Sequence, residues 1–266
     1  MPVIGKFGYL EALPRPSGRP ERTLVLIHAF PLNARMWEPQ LALAEAGWRV
    51  IAPHLRGTNG GPPQDPVATM DDCAADLIDL LDALHIENAV IGGLSMGGYV
   101  TFALFRHAPR YFRGMVLADT RPQADTPEAI EGRKRLLAVV REKGAAAVAD
   151  EMIPKLLGET TRRNRPDLVA HVGDLVRSNP PDAIAGAISA LMSRPDSTSI
   201  LPSIHCPTLI LVGEEDMLTP PALSQDMQRA IGGAELVMVP RAGHLSSLEQ
   251  PEVFNAALAR FLEHRV

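Results

Sequence analysis

The residue of this chain whose surroundings most clearly indicate a chemical role is a serine with a glycine two positions to either side. Residues 93–97 are Gly-Leu-Ser-Met-Gly, preceded by an apolar run at 89–91 and followed by a mostly apolar segment at 99–105. The run predicts a buried strand and the segment predicts a helix, which places Ser95 in a sharp turn between them. Such a turn strains the serine backbone and leaves no room for a Cβ atom two residues to either side. We therefore predict that Ser95 is a nucleophile presented at the edge of a sheet.

Two other interpretations of this glycine-rich turn are tight packing alone and phosphate binding. Phosphate binding is disfavoured, because the turn has neither the glycine spacing of a dinucleotide site nor a Gly-Lys-Ser/Thr ending. Tight packing alone stays open for this stretch taken by itself, because short patterns of this kind also arise by chance.

A serine hydroxyl needs a base to take its proton, and His244 is the best placed of the eight histidines. It follows the last predicted strand, 234–239, at the edge where ligand sites of open α/β sheets form. The base in turn needs a carboxylate that holds its tautomer and stabilises its cation. We choose Asp216, which follows the buried strand predicted at 207–213. Asp119, at the end of the strand predicted at 113–118, is the competing acid.

The tetrahedral oxyanion that a serine attack creates needs hydrogen-bond donors that are already in place. The backbone N–H of Met96, directly after the nucleophile and at a helix N-terminus, is one predicted donor. The second should come from the loop after the early buried strand at 23–27, where the residues are His28-Ala29-Phe30-Pro31. We choose the N–H of Phe30.

Strand and helix patterns alternate regularly along the first part of the chain, which predicts a mostly parallel sheet with helices on both faces. Further strands are predicted at 3–12 and 48–52, and loops at 14–20 and 53–66. Helices are predicted at 37–45, 70–84, 221–230 and 251–263. Between 126 and 194 the pattern changes to four helices, at 127–142, 145–157, 166–177 and 181–192, with no convincing strand. We predict an α/β core domain at 1–122 and 199–266, with a helical cap inserted at 123–198 over the carboxyl edge of the sheet.

Composition excludes several classes of protein. The net charge of −5 gives no electrostatic footprint for nucleic acid or an anionic membrane surface. No apolar run approaches the ~20 residues of a membrane span, and the N-terminus does not resemble a signal peptide. The two cysteines, Cys73 and Cys206, match no metal spacing or disulfide framework, so we expect a reducing, cytoplasmic compartment. Oligomeric state is not indicated.

The motifs together resemble the α/β-hydrolase superfamily along nearly the whole chain. The similarity is greatest to the small, cofactor-free esterase, lactonase and non-haem haloperoxidase-like branch. The segments that carry it are His28-Ala29-Phe30-Pro31-Leu32, Arg56-Gly57, Gly93-Leu94-Ser95-Met96-Gly97-Gly98, Gly213-Glu214-Glu215-Asp216 and Gly243-His244. Two segments depart from the family pattern. Ala29 stands where the family usually has glycine, and residues 54–61 replace an Asp-x-Arg-Gly-x-Gly-x-Ser pattern.

The resemblance implies a sheet of about eight strands, a lid of about four helices, and the nucleophile–acid–base order Ser95, Asp216, His244. It also implies a serine hydrolase of small carboxylic esters or lactones that uses no cofactor and no metal, with enol-lactone hydrolysis as the subclass most strongly suggested. Hydrolysis of thioesters or carbon–carbon bonds uses the same residues and stays open. So does a homologue that binds a small ligand without turnover. Perhydrolysis would be a side reaction of the same acyl-enzyme.

The substrate pocket is the least visible part of the sequence. Apolar residues next to the predicted site could line it, and Arg121, just past Asp119, could meet a substrate carboxylate. The candidate substrate-binding residues are Leu32, Trp37, Tyr99, Arg121, Met217 and Leu218.

Overall fold

A twisted sheet of eight strands forms the centre of the molecule. In the computed structural model, which describes residues 2–14, 22–58 and 69–266, the strand order is β1-β2-β4-β3-β5-β6-β7-β8. The strands are β1 (Val3–Ile4), β2 (Phe7–Ala12), β3 (Arg22–Ile27), β4 (Trp48–Pro53), β5 (Ala89–Leu94), β6 (Phe112–Ala118), β7 (Thr208–Gly213) and β8 (Glu235–Val239). From β4 to β8 all neighbours are parallel, while β1 and β2 are antiparallel. The predicted α/β fold class is confirmed.

The central strands are buried because they are apolar on both faces. Strand β5 is buried at every position, and so is β7. A strand without a polar face needs helices on both sides, which only a crossover-connected parallel sheet provides. Crossovers between parallel strands are right-handed, and the strand order changes direction after β4. The connection from β3 to β4 therefore covers one face of the sheet, and the connections between later strands cover the other.

The helices that cover the sheet are α1 (Met70–Ala83), α2 (Met96–His107), α7 (Pro221–Ala230), α8 (Ser246–Glu249) and α9 (Pro251–His264). Three segments are 3-10 helices, at Ala34–Ala46, Pro109–Tyr111 and Thr198–Ser203. The segment at Ala34–Ala46 was expected to be helical over 37–45, and Pro39 within it removes a backbone donor. Helix α1 packs against α2, while α9 packs against Ala34–Ala46.

Four helices follow β6 before the chain returns to β7. They are α3 (Pro127–Leu156), α4 (Glu159–Asn164), α5 (Pro166–Arg177) and α6 (Pro181–Ser193), and we call Pro127–Ser193 the helical segment. Gly144 breaks α3 with a φ of 77° and a ψ of −173°, between the two helices predicted there. The helical segment lies within the insertion predicted at 123–198, whose boundaries as a domain stay a prediction.

Parts of two predicted loops, 14–20 and 53–66, lie outside the described residues, as does the end of the 54–61 segment. Among the residues that are described, no helix combines the length and the apolar character that crossing a membrane requires.

Candidate active site

Ser95 occupies a strained turn between β5 and α2. Its φ of 55° and ψ of −112° lie in a region that side-chain-bearing residues rarely adopt. The glycines around it allow this turn. A Cβ atom on Gly93 would lie 2.3 Å from the carbonyl carbon of Gly97, and one on Gly97 would lie 2.1 Å from the carbonyl oxygen of Ile27. The start of α2 therefore packs directly on the end of β3, and the Ser95 side chain is fixed at the carboxyl edge of the sheet.

His244 joins Ser95 to Asp216 through two hydrogen bonds. The Nε2 atom of His244 lies 2.8 Å from Ser95 Oγ, and its Nδ1 atom lies 2.8 Å from Asp216 Oδ2. All three side chains are buried or nearly so. With the Nδ1 proton donated to the carboxylate, Nε2 is the nitrogen free to accept the serine proton. The structure thus brings together the three residues predicted as nucleophile, base and acid.

The carboxylate of Asp216 is held in its ionised form. It accepts hydrogen bonds from the N–H of Leu218 at 2.8 Å and the N–H of Thr219 at 3.0 Å, and from the Thr219 hydroxyl at 2.6 Å. Burial opposes ionisation, but the electrostatic interaction and hydrogen bond with His244, together with the hydrogen bonds from Thr219, lower the pKa of Asp216 to about 2. A carboxylate in this state can stabilise an imidazolium at His244.

Asp119, the competing acid, is engaged elsewhere. Its Oδ1 atom accepts the N–H of Gly213 at 2.8 Å, and its Oδ2 atom accepts the hydroxyl of Ser246. Burial, together with the nearby charge of Asp216, raises the pKa of Asp119 well above its ordinary value. Asp119 therefore ties β6 to β7 and α8, while Asp216 is the carboxylate in contact with His244.

The two predicted oxyanion donors are the N–H groups of Met96 and Phe30. The N–H of Met96 is the first of helix α2 and has no intrahelical partner. The N–H of Phe30 donates no hydrogen bond within the described part of the chain. Phe30 lines the same cavity as Ser95, and a smaller pocket touches both Phe30 and Met96.

The loop that carries Phe30 is held by a fully buried histidine. One ring nitrogen of His28, Nδ1, lies 3.1 Å from the carbonyl oxygen of Ala29, and the other, Nε2, accepts the N–H of Leu55 at 3.1 Å. Burial lowers the pKa of His28 to about 3, so the ring is neutral. The N–H of Ala29 is directed to the sulfur of Met36, 3.2 Å away, which leaves the next N–H, that of Phe30, for the site.

Glu249 fixes the loop that carries His244. Its buried carboxylate accepts the N–H of Gly243 at 2.9 Å and that of Leu245 at 3.1 Å, the residues on either side of His244. The second carboxylate oxygen accepts the N–H of Gly158 at 2.8 Å. One side chain on α8 thus holds both the histidine loop and the turn between α3 and α4.

The same turn touches the histidine loop backbone to backbone. The N–H of His244 donates to the carbonyl oxygen of Leu156 at 3.1 Å. A Cβ atom on Gly243 would lie 2.2 Å from the nitrogen of Gly158, and one on Gly158 would lie 2.8 Å from the nitrogen of Gly243. Only two glycines can approach this closely, so the helical segment rests directly on the loop of the predicted base.

A cavity of about 390 Å³ opens above Ser95 and His244. Of the candidate substrate-binding residues, it is lined by Tyr99, Arg121 and Leu218. Charged side chains outside that candidate set also line it, namely Asp125, Arg133, Arg135, Glu151 and Lys155.

Three candidate substrate-binding residues do not line this cavity. Trp37 is fully buried and packs against Phe254 at a ring-centroid distance of 6.0 Å, so it belongs to the core. Met217 is 83% exposed and points to solvent beside the site. Leu32 lines the small separate pocket with Phe30 and Met96. All three were predicted for the site because they lie close to its residues along the chain. The direction of a side chain depends on tertiary packing, which position along the chain does not reveal.

Two residues that contact the site were missed from the sequence. Thr219 supports Asp216, and its position three residues after an aspartate in a loop was the available signal. Glu249 gave no signal, because a charged residue just before a predicted helix is most often solvated. In the described ranges, no three His, Cys, Asp or Glu side chains converge as a metal site requires.

The sequence profile of the alpha/beta hydrolase family matches residues 24–257. This chain belongs to the alpha/beta hydrolase family. The family suggested by the sequence motifs is therefore confirmed.

Relatives of this alpha/beta hydrolase include esterases and lactonases. An esterase from Thermogutta terrifontis, solved with malate bound, is 39% identical, covers 97% of this chain and 93% of its own, and has a TM-score of 0.91. The enol-lactonase of Burkholderia xenovorans is 25% identical at a TM-score of 0.88, covering 97% and 96%. The 3-oxoadipate enol-lactonase 2 of Acinetobacter baylyi is 28% identical, covering 88% of this chain and 86% of its own.

Proposed function

We propose that this alpha/beta hydrolase is a serine hydrolase that cleaves carboxylic ester or lactone bonds of small molecules through an acyl-enzyme. The observation that carries the proposal is the unbroken hydrogen-bonded chain from Ser95 through His244 to Asp216 at the floor of the cavity. The names of the relatives, an esterase and two enol-lactonases, support the same class of bond.

The first half of the reaction forms the acyl-enzyme. His244 Nε2 takes the proton of Ser95 Oγ as the oxygen attacks the carbonyl carbon of the substrate. The carbonyl oxygen becomes an oxyanion, which the N–H groups of Phe30 and Met96 stabilise. His244 then gives its proton to the departing alkoxide, and the ester or lactone C–O bond breaks.

The second half releases the acid. A water molecule loses its proton to His244 Nε2 and attacks the acyl carbon, and Ser95 leaves with that proton. Asp216, ionised throughout, stabilises the imidazolium that forms at His244 in each half. Thioesters and carbon–carbon bonds would follow the same steps, with a thiolate or a carbanion as the leaving group.

The test is a comparison of Ser95→Ala with the wild type on short p-nitrophenyl esters and simple lactones. We expect kcat to fall by a factor on the order of 10⁵ to 10⁶, because nucleophile and base act as a unit. Covalent labelling by a fluorophosphonate should occur at Ser95 in the wild type and be absent in the variant. Turnover that persists in Ser95→Ala, with the contaminating activity of a mock preparation subtracted, would contradict the proposal.

A homologue that only binds a ligand is the alternative of a different class. Labelling at Ser95 without turnover on a broad panel of esters, lactones and thioesters would favour it.

A further inference from the structure

A cluster of three arginines surrounds Asp125, which lines the cavity, and the charges of the cluster do not balance. The side chain of Asp125, fully buried, is within ion-pair distance of Arg121 at 3.0 Å and Arg194 at 2.8 Å, and it also contacts Arg133. No other carboxylate of the described chain pairs with these three guanidinium groups. Three cations therefore share one anion, which leaves a formal excess of two positive charges beside the site.

Asp125 is ionised, so it contributes one full negative charge to the cluster. Burial opposes its ionisation, but hydrogen bonds from Arg194 and Arg133 and their charges lower the pKa of Asp125 to about 2. The carboxylate is thus ionised at neutral pH and still outnumbered. Asp196, two residues after Arg194, forms no ion pair with it and directs its oxygens to the backbone N–H groups of Ala124 and Thr198.

Arg194 serves the structure. Its guanidinium donates to the carbonyl oxygens of Leu191 at 2.9 Å and Gln123 at 3.0 Å, and it stacks over the ring of Tyr99 at 4.1 Å. With the side chain 3% exposed, it has little left to offer a ligand.

Arg121 and Arg133 are different, because both line the cavity and both side chains are partly exposed. Arg121 contacts Asp125 through Nη2, and its Nε atom is buried with no hydrogen-bond partner. Arg133 contacts Asp125 through Nε, which leaves its terminal nitrogens without a partner in the described part of the chain. Their side chains are 22% and 21% exposed, so a molecule in the cavity can reach them.

The positive wall extends to the mouth of the cavity. Arg135, exposed on α3, also lines the cavity and forms no ion pair with a described residue. The remaining charged pair there, Lys155 with Glu151 at 3.2 Å, is neutral as a pair. The positive wall contrasts with the chain as a whole, whose net charge is −5.

Stability does not explain such a wall. Cations that are partly withdrawn from water without counter-ions are unfavourable, and one arginine would be enough to neutralise Asp125. A planar guanidinium with free donors is suited to a carboxylate, which it can bind through two parallel hydrogen bonds.

We propose that Arg121, Arg133 and Arg135, the basic wall, bind a free carboxylate of the substrate while Ser95 attacks its ester or lactone carbonyl. The substrates are then acids that carry a second, esterified or lactonised carboxyl group, such as half-esters of short dicarboxylic acids. This inference rests on the proposed hydrolase function and names its substrate class. Asp125 acts as a positioning residue that aligns Arg121 and Arg133.

The experiment compares matched substrates that differ by one charge. The monoethyl and diethyl esters of succinic and glutaric acids are hydrolysed by the wild type and by Arg133→Met, and kcat/KM is obtained for each. We expect the wild type to prefer the half-ester, and the half-ester to diester ratio to fall about ten- to a hundredfold in Arg133→Met, the range for a hydrogen bond to a charged group. High salt should lower the same ratio in the wild type.

Arg229→Met is the matched control. Arg229 lies on α7, is 68% exposed and pairs with Asp226, so its loss removes one positive charge without touching the cavity. The ratio should be unchanged in this variant. Circular dichroism and thermal unfolding check that Arg133→Met is folded, and Arg121→Met provides a second variant if it is not.

Competition by product-like anions gives an independent measurement. Succinate should inhibit turnover of a neutral p-nitrophenyl ester in the wild type more strongly than succinamide does, and this difference should shrink in Arg133→Met. Equal use of half-ester and diester by the wild type, or inhibition by inorganic phosphate in place of succinate, would overturn the carboxylate assignment. Turnover through Ser95 would then still stand, so failure of the subsite is distinguishable from failure of the hydrolase proposal.

Discussion

Two buried aspartates lie beside the same group of loops, and their surroundings favour opposite protonation states. Asp216 receives three hydrogen bonds from its own loop and one from His244, and its pKa is lowered to about 2. Asp119 is buried near that negative charge, and its pKa is raised well above the ordinary range. From the sequence both were candidates for the acid, because each follows a buried strand. The two carboxylates are distinguished only by contacts that form where the loops after β6 and β7 meet.

Replacement of each aspartate by asparagine should distinguish their roles. In Asp216→Asn the imidazole loses the acceptor that fixes its tautomer, so we expect kcat on a p-nitrophenyl ester to fall by about 10⁴-fold, as in serine proteases that lose this carboxylate. Asp119→Asn preserves an oxygen for the N–H of Gly213 and resembles the protonated acid, so it should change kcat far less. A larger loss in Asp119→Asn than in Asp216→Asn would reverse the assignment.

At the scale of elements, α8 is a four-residue helix that connects the histidine loop to the helical segment. Glu249 at its end accepts three backbone N–H groups, from Gly158, Gly243 and Leu245. A carboxylate that satisfies buried donors from two elements also fixes how those elements meet. The position of His244 thus depends on a residue that does not touch it.

Removal of this carboxylate should weaken the fold and the site together. Glu249→Ala leaves three buried N–H groups unsatisfied, at about 1–3 kcal/mol each, so the free energy of unfolding measured with urea should fall by about 3 kcal/mol or more. We also expect kcat to fall and the pH–rate profile to move, because the His244 loop is no longer held. Glu249→Gln, which keeps one acceptor oxygen, should recover part of both. The exposed Glu252 on α9 offers the control variant Glu252→Ala, and equal losses in the two alanine variants would contradict this role.

At the scale of the whole molecule, the sheet could be predicted largely from the sequence. Continuous apolar runs such as 207–213 predict strands buried on both faces, and the change of rhythm after 126 predicts the helical segment. Ser95, Asp216 and His244 each follow a predicted strand, in the family's nucleophile–acid–base order, and this predicted that the three side chains meet. Their catalytic roles, and those of Phe30 and Met96, stay predictions.

The cavity wall could not be predicted in the same way. Arg121 was expected there, but Arg133, Arg135 and Lys155 come from α3, where charged residues at helical spacing usually indicate a solvated face. Whether such a face meets water or a cavity depends on how a helix crosses the sheet edge, and no local pattern encodes that angle. Trp37 was misplaced for the complementary reason, since an apolar residue near a site in sequence is most often in the core.

The buried His28, which holds the loop that carries Phe30, makes global stability depend on pH. Burial lowers the pKa of His28 from 6.5 to about 3, so between these values the unfolded chain binds a proton that the folded protein does not. Its contribution to stability is complete above pH 6.5 and is lost as the pH falls toward 3, at up to about 1.4 kcal/mol per pH unit. Asp119 and Glu249, whose pKa values are raised, act in the opposite direction, so a comparison of variants is needed.

The measurement is the free energy of unfolding by urea for the wild type and His28→Gln across that pH range. The variant cannot take up a proton at this position, so its stability should decline less steeply from pH 6.5 downward. Parallel curves for the two proteins would show that His28 does not contribute to the acid dependence. Replacement of the exposed His264, whose side chain is 65% accessible, serves as the control.

The backbone contact between Gly158 and Gly243 limits how this enzyme can be diversified. The helical segment supplies one wall of the cavity, so exchanging it for the equivalent stretch of another family member is a direct way to change specificity. Any donor stretch that carries a side chain at position 158 would displace Gly243, and the loop of His244 would move with it. Chimeras that retain glycine at both positions can vary the rest of the segment, whereas chimeras that lose either one would alter the cavity wall and displace His244 at once.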